Sequence, residues 1–401
     1  MKKKIKIIGA LLLGTVFCGT VATTSFLTEK ASAQTIVKVE AQNAKEDLAL
    51  RAKSAYVMEY STETPVYAKA EREHLPIASM CKIMTLLLSF EGIESGALSM
   101  DENVCVSERA ASMGGSQVFL EANAEYPVRE LIKSIVVCSA NDSCVAMAER
   151  LAGSESIFVE RMNERAKQLG ANDTLFANCT GLPKEPQYSC AKDVALMLKA
   201  LLKHEEYYEF GKVWMDKFAH PKGRYTEITN TNKLVRFYDG CDGGKTGFTN
   251  EAGFCLAATA KRNDMRVISV VIGEENSANR FEDVRTSFDY AFANYTSPLI
   301  VEAGQIMEKK GCVDGGKKTK INAIAATSLR DFVRRGEKSD VRVETRLERV
   351  KAPVKKGEKI GELIVYKNGI ECGVVDLLAA ENVGKATYFD RIKEIAGEWN
   401  G

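Results

Sequence analysis

The stretch IASMCKIMTLLLSF at residues 77–90 contains a serine and a lysine three positions apart, followed by a run without charged residues. The apolar run predicts a buried helix that begins at Ser79. Residues three positions apart on a helix lie on one face, so the Lys82 side chain would lie beside the Ser79 hydroxyl. The helix N-terminus would favour negative charge that develops there. A capping serine followed by a solvated lysine is the simpler alternative, but it fits an apolar helix poorly.

Two further short motifs follow in the chain, SAN at residues 139–141 and KTG at residues 245–247. An acyl-transfer site of this kind needs a hydroxyl with a lysine one turn away, a second hydroxyl with an amide, and a cation beside a hydroxyl. The three motifs supply these parts in that order. Lys82 can act as a base only when it is neutral, and burial together with the cation Lys245 would lower its pKa.

The first two motif patterns each occur a second time, as SCAK at residues 189–192 and SAN at residues 277–279. The presence of a motif therefore does not identify the site. The second pair lies on either side of KTG, whereas Ser79, Ser139 and Lys245 follow in the required order at separations of 60 and 106 residues. KTG occurs once in the chain, so the order of the motifs selects the first set.

The sequence offers little support for other chemistries. It has three histidines and lacks the G-x-S-x-G motif of the hydrolases that use a Ser-His-Asp triad. It also lacks H-E-x-x-H, paired C-x-x-C and G-x-x-x-x-G-K-[ST] motifs, which would indicate zinc or nucleotide binding. The formal net charge of +1 gives no indication of a nucleic-acid partner. We therefore expect no metal, no cofactor and no nucleic acid.

The periodicity predicts mixed helices and short strands as far as about Tyr295. A strand through Lys245 is expected to continue into residues 253–260, and the apolar run at residues 265–273 predicts another, buried strand. Beyond Pro298 the chain becomes charged and glycine-rich. Apolar alternation there, with an Asn-Gly pair at residues 368–369, predicts a small all-β domain that contains a hairpin.

The N-terminal 33 residues read as a signal peptide, because a lysine-rich start is followed by an uncharged run and by Ala-Ser-Ala before Gln34. An uncleaved membrane anchor is the alternative. We expect secretion across the cytoplasmic membrane to the cell wall or the outer face of that membrane. Ten of the eleven cysteines follow this segment. Several fall in apolar elements, which favours buried free thiols over a disulfide framework.

With these motifs the chain resembles the serine-type D-alanyl-D-alanine carboxypeptidases, the low-molecular-mass penicillin-binding proteins of bacterial cell-wall metabolism. The similarity extends from about Ala49 to Tyr295, with a weaker match in the region that follows. Six stretches carry it: 77–85 (IASMCKIMT), 114–120 (GGSQVFL), 139–149 (SANDSCVAMAE), 178–183 (NCTGLP), 230–234 (NTNKL) and 242–256 (DGGKTGFTNEAGFCL).

The resemblance implies an α/β (α+β) transpeptidase domain of the penicillin-binding-protein/β-lactamase-like type. In this fold, helices pack on an antiparallel sheet, and a small all-β domain follows. The expected segments are a signal peptide at 1–33, the penicillin-binding carboxypeptidase domain at 34–295, a β-rich domain at 296–380 and a tail at 381–401.

The resemblance also implies removal of the terminal D-alanine from peptidoglycan pentapeptides, with β-lactam antibiotics as inhibitors. Ser79 would be acylated, Lys82 would take its proton, and Ser139 would return a proton to the leaving D-alanine. Asn141 would hold the peptide backbone and orient Lys82. The substrate-binding residues would be Lys245, Thr246 and Arg280 at the terminal carboxylate, Gly247 within the motif, and Phe248, whose backbone N–H would form the oxyanion hole with that of Ser79.

Two alternatives share these motifs. A β-lactamase would add a glutamate that activates water for deacylation, but no E-x-x-L-N-like stretch lies between Asn141 and Lys245. A non-catalytic wall-binding homologue would keep the pocket without the reaction, and the intact motif residues argue against it.

The tail contains an apolar stripe that would cover one face of a helix. Acidic residues outnumber basic ones on the other face, so attraction to anionic lipid would be weak. We expect weak, reversible membrane association, and a helix packed on the β-domain is the alternative. The stripe consists of Tyr388, Phe389, Ile392, Ile395, Ala396 and Trp399.

Overall fold

The computed structural model describes residues 47–337, 339–390 and 392. The expected signal peptide at residues 1–33 lies outside these residues, as do three of the six residues of the apolar stripe in the tail, Ile395, Ala396 and Trp399. None of the helices in the described part of the chain combines the length and the apolar character needed to cross a bilayer.

The first domain mixes helices with short strands, as the periodicity predicts. Its helices are α1 (Lys82–Glu94), α2 (Glu108–Ala111), α3 (Val128–Cys138), α4 (Asn141–Ala152), α5 (Glu155–Gln168), α6 (Ala191–Leu201), α7 (Tyr207–Gly211), α8 (Leu234–Phe237) and α9 (Ser277–Asn294), with 3-10 turns at Ala78–Cys81 and Pro221–Gly223. Its strands are β1 (Ser54–Glu59), β2 (Pro65–Lys69), β3 (Asn103–Cys105), β4 (Glu125–Pro127), β5 (Met215–Ala219), β6 (Tyr225–Thr229), β7 (Cys241–Thr249), β8 (Gly253–Arg262) and β9 (Met265–Glu274).

Five of these strands form an antiparallel sheet in the order β2-β1-β9-β8-β7. The central strand β9 is almost entirely buried because both faces of the sheet are covered, which explains its continuous apolar run. Helix α9 packs on one face, whereas α6 packs on the other, with α1 beyond it. The predicted arrangement of helices on an antiparallel sheet is confirmed.

The strand through Lys245 was predicted wrongly in one respect. It does not continue into residues 253–260, because the chain turns at residues 250–252 and returns antiparallel as β8. A short turn without glycine or proline at residues 249–252 leaves the sequence resembling one long strand. The turn leaves β7 at the edge of the sheet, and the far edge of β7 faces the 3-10 turn that contains Ser79.

The second domain consists of strands, as predicted. They are β10 (Tyr295–Thr296), β11 (Leu299–Val301), β12 (Ile306–Asp314), β13 (Lys320–Ala325), β14 (Leu329–Arg330), β15 (Val333–Arg334), β16 (Val341–Leu347), β17 (Arg349–Lys351), β18 (Lys359–Lys367) and β19 (Ile370–Ala379). Six of them form a sheet in the order β16-β18-β19-β13-β12-β17. The predicted hairpin joins β18 to β19, and Asn368 and Gly369 both have positive φ, as a type I′ turn requires.

Two carboxyl groups lie close together where the first sheet meets α9. Glu274 ends β9 with 2% of its surface exposed, and its carboxyl group lies against that of Asp283. Asp283 also accepts hydrogen bonds from the backbone N–H of Arg51 at 2.5 Å and from its guanidinium at 3.0 Å. Burial, followed by the Asp283 carboxylate, raises the pKa of Glu274 to about 8.

We expect Glu274 to make the free energy of unfolding fall as the pH rises from about 5 to about 8. The folded state holds this proton more tightly than the unfolded chain, in which a glutamate titrates near pH ~4.3. Glu274→Gln should remove that loss of stability, measured by urea denaturation across this pH range. Glu251→Gln changes an exposed carboxylate in the turn between β7 and β8 and serves as the control. A pH dependence of Glu274→Gln equal to that of the control would contradict the assignment.

Candidate active site

Ser79 lies in the 3-10 turn that leads directly into α1, and Lys82 is the first residue of that helix. This geometry places the Lys82 Nζ atom 2.9 Å from the Ser79 Oγ atom. Ser79 is partly exposed, whereas Lys82 is completely buried. Ser79 can therefore be reached from solvent, whereas the Lys82 amine that contacts its hydroxyl is shielded from water.

Burial lowers the pKa of Lys82, because an ammonium group loses its hydration in the protein interior. Its amine also contacts the backbone oxygen of Thr180 at 2.5 Å. This contact orients the amine towards Ser79 but adds no negative charge that would hold the proton. The neutral form needed for a general base is thus favoured by the environment.

Lys245 is a second buried lysine in the same region, on the edge strand β7. Burial, followed by the positive charge of Lys82, lowers its pKa well below the usual value. Its Nζ atom donates to the backbone oxygen of Thr246 at 3.1 Å, and no carboxylate among the described residues forms an ion pair with it. An anionic ligand would therefore find an unpaired cation here.

The SAN motif forms the junction between two helices. Ser139 follows α3 with φ of 66°, a left-handed conformation that non-glycine residues rarely adopt, and Asn141 begins α4. The Asn141 Nδ2 atom donates to the Gly114 backbone oxygen at 2.7 Å. Among the described residues, the buried Ser139 Oγ and Asn141 Oδ1 atoms have no hydrogen-bond partner. Strained residues with unpaired polar atoms are typical of functional sites.

The KTG motif brings β7 against the Ser79 turn. A Cβ atom on Gly247 would lie 2.6 Å from the Ile77 backbone oxygen, so only glycine allows this close approach. The Thr246 hydroxyl donates to the Thr231 hydroxyl at 2.8 Å. Phe248 follows on the same edge strand, with half of its surface exposed.

Arg280 in the first half of α9 reaches the same strand. Its Nη1 atom donates to the Gly247 backbone oxygen at 3.2 Å, and its buried Nε atom has no partner among the described residues. Burial lowers the pKa of Arg280 to about 10. The structure thus places Ser79, Lys82, Ser139, Asn141, Lys245, Thr246, Gly247, Phe248 and Arg280 on five neighbouring elements: the 3-10 turn, α1, the α3–α4 junction, β7 and α9.

Two supporting loops lie within the family-like stretches, but the roles of their residues could not be predicted from the sequence. In the loop at 178–183, the Asn178 side chain accepts from the backbone N–H groups of Thr180 and Gly181, which fixes the carbonyl that contacts Lys82. In the loop at 114–120, the buried Asp142 carboxylate accepts from backbone N–H groups. An Asn three residues before a glycine is a turn signal that could have indicated the first loop.

The second copies of the first two motif patterns lie at the starts of two helices. Ser189 is fully buried and shares a hydrogen bond of 2.7 Å with the Thr174 hydroxyl, just before α6 begins. Lys192 lies in the first turn of α6. Ser277 is the first residue of α9, where Asn276 caps the helix. These residues lie at the starts of α6 and α9. The motif set selected by its order is therefore the one in which a serine contacts a buried lysine.

Comparisons with known proteins agree with this geometry. Residues 39–276 match the family model for D-alanyl-D-alanine carboxypeptidase, and residues 295–385 match the model for the penicillin-binding protein 5 C-terminal domain. The chain is 39% identical over 355 residues to D-alanyl-D-alanine carboxypeptidase DacF of Bacillus subtilis (strain 168), covering 88% of this chain and 91% of that protein.

Solved structures show the same relationship. A peptidoglycan synthesis regulatory factor (PBP3) from Streptococcus pneumoniae superposes with a TM-score of 0.70 at 27% identity, covering 83% of this chain and 99% of that one. Penicillin-binding protein D2 from Listeria monocytogenes, solved in its ampicillin-bound form, superposes with a TM-score of 0.56 at 30% identity over 62% of this chain and all of that one. The resemblance inferred from the motifs is confirmed, and the chain belongs to the D-alanyl-D-alanine carboxypeptidase family.

Proposed function

We propose that the chain is a serine-type D-alanyl-D-alanine carboxypeptidase that hydrolyses the terminal D-alanine from peptidoglycan pentapeptide stems through an acyl-enzyme on Ser79. The observation that carries this proposal is the 2.9 Å contact between the Ser79 hydroxyl and the buried amine of Lys82. A serine hydroxyl is a weak nucleophile until a neighbouring base accepts its proton.

In the acylation step, Lys82 accepts the Ser79 proton as the oxygen attacks the carbonyl carbon of the penultimate D-alanine. Negative charge then develops on the carbonyl oxygen. The backbone N–H groups of Ser79 and Phe248 would stabilise that charge, because β7 lies against the 3-10 turn at Gly247. The peptide bond breaks when a proton reaches the leaving nitrogen, and Ser139 together with Lys82 would supply it.

A second group of residues would bind the substrate. Lys245, Thr246 and Arg280 would hold the terminal carboxylate, since Lys245 and Arg280 are buried basic groups and the Thr246 hydroxyl follows Lys245 on β7. The unpaired Asn141 Oδ1 atom would accept a hydrogen bond from the peptide backbone. Water then attacks the acyl-enzyme, with Lys82 as the base nearest to Ser79, and releases the shortened stem peptide.

We expect purified protein to form a long-lived penicilloyl adduct at Ser79. A β-lactam would present its carboxylate to the same basic side chains and its carbonyl to the same serine. Penicillin-binding protein D2 from Listeria monocytogenes has been solved in an ampicillin-bound and in a cefotaxime-bound form. The intact mass should rise by one drug molecule, and Ser79→Ala should abolish the increase. Rapid repeated hydrolysis of penicillin would favour a β-lactamase, and an unmodified mass would contradict the proposed acyl-enzyme.

A second test separates the two serine–lysine motifs. Lys82→Ala should lower both acylation by penicillin and D-alanine release from diacetyl-lysyl-D-Ala-D-Ala by about 10²–10⁴-fold, because a positioned base is lost. Lys192→Ala removes the lysine of the second motif and should keep parent activity within about twofold, since Ser189 is already bonded to Thr174. Equal losses in the two variants would show that the assignment by motif order is wrong.

We further propose secretion to the outer face of the cytoplasmic membrane, with weak attachment through the tail. Support comes from the N-terminal sequence and from Tyr388 and Phe389, whose rings are exposed just beyond the β-domain. Exposed aromatic residues suit the interface between lipid and water.

Deletion of residues 388–401 should therefore reduce co-sedimentation with liposomes while leaving D-alanine release unchanged. The catalytic side chains lie on other elements and need no residue of the tail. Tyr225→Ala, which removes an exposed ring on β6, is a control that should sediment like the parent. Equal liposome binding by the full-length and truncated proteins would contradict attachment through the tail.

A further inference from the structure

Phe248 and Phe254 form an aromatic pair at the edge of the active site. The two residues lie directly opposite each other on β7 and β8, and their ring centroids are 4.3 Å apart. Cross-strand aromatic pairs stabilise hairpins. Burial of such a pair would serve that purpose better, yet 50% of the Phe248 surface is exposed.

The position of the pair relates it to the groups that would bind the terminal carboxylate. Alternate residues of a strand share a face, so Phe248 lies on the same face of β7 as Thr246. The Arg280 guanidinium carbon lies 5.4 Å from the centre of the Phe254 ring, and its Nη1 atom contacts the backbone between Thr246 and Phe248. The aromatic surface therefore adjoins both the hydroxyl and the guanidinium of that subsite.

The structure of the substrate determines which of its groups would contact this aromatic surface. In a terminal D-alanine, the methyl group and the carboxylate are attached to the same carbon atom. If Thr246 and Arg280 hold the carboxylate, the methyl group lies two covalent bonds from the held carbon. The half-exposed Phe248 ring, two residues from Thr246 on this face of β7, offers that methyl group an apolar surface.

We propose that Phe248, supported by Phe254, contacts the side chain of the leaving residue and makes the enzyme favour D-alanine over glycine at the C-terminus. This inference rests on the proposed function and adds a specificity determinant to it. Because the Phe248 ring is half-exposed and does not form a closed pocket, the preference for D-alanine over glycine should be modest. Contact with one methyl group corresponds to about a threefold to fivefold preference.

The test compares kcat/KM for diacetyl-lysyl-D-Ala-D-Ala with kcat/KM for diacetyl-lysyl-D-Ala-Gly. The parent protein should favour the first substrate, and Phe248→Ala should bring the ratio close to one. Phe248→Leu keeps an apolar side chain and should retain most of the preference. Phe237→Ala is the matched control, because Phe237 is also exposed (63%) and also contacts an aromatic ring, that of Trp214, in an edge-on arrangement, but lies on α8. Its ratio should equal that of the parent.

Three outcomes would overturn the inference. One is a parent protein that shows no preference between the two substrates, and this measurement needs no variant to fold. Another is a Phe248→Ala variant that loses activity equally on both substrates, which would mean that the ring only stabilises the hairpin. A third is an equal change of ratio in Phe237→Ala.

Failure of the proposed function has a different signature. In that case the parent would release neither D-alanine nor glycine and would form no penicilloyl adduct, whereas failure of the specificity inference alone leaves both reactions in place. Penicillin acylation of each variant, followed by intact mass, shows in the same experiment that the Ser79 site is folded.

Discussion

The burial of two lysine amines beside one serine is the constraint on which the site depends. An isolated ammonium group in a protein interior loses its hydration and tends to lose its proton instead. Lys82 and Lys245 are both fully shielded, and the hydrogen bonds that they make go to backbone oxygens and to Ser79 and not to carboxylates. Their pKa values are both lowered for this reason. An environment of this kind favours the neutral amine that Lys82 needs as a base and leaves the Lys245 amine without an anionic partner among the described residues.

The two lysine amines need rigid surroundings to stay in place, and loops provide part of these surroundings. The loop at 178–183 is fixed by the Asn178 side chain and approaches the Ser79 turn so closely that a Cβ atom on Gly181 would lie 2.0 Å from the Ala78 backbone oxygen. Ala78 itself has a positive φ of 45°. Strain of this kind persists only where the surrounding structure over-determines it. The sheet, with α6 on one face and α9 on the other, is the fixed element against which the loops are positioned.

Much of this arrangement could be predicted from the sequence, and the part that could not is non-local. A serine and a lysine three positions apart at the start of an apolar helix lie on the same face of that helix. The contact between Ser79 and Lys82 could therefore be predicted from helix geometry alone. The contact between Lys82 and Thr180 joins residues 98 positions apart, and no periodicity reports it. The proximity of Glu274 to Asp283 was missed for a related reason, because two acidic residues predict repulsion, and the sequence does not show that burial raises the pKa of Glu274. The turn between β7 and β8 was missed because residues 249–252 contain neither glycine nor proline to mark it.

Under the proposed mechanism, the arrangement of charges also links substrate binding to activation of the base. A carboxylate held between Lys245 and Arg280 would offset the cost of burying the Lys245 charge, so the proton on Lys245 would be retained. A charged Lys245 disfavours a second positive charge nearby, which is the same repulsion that already lowers the Lys245 pKa when Lys82 is charged. The proton would therefore be driven from Lys82 when a substrate with a terminal carboxylate is bound. A peptide without that carboxylate would leave Lys245 uncompensated and would lose the activation as well as the anchor.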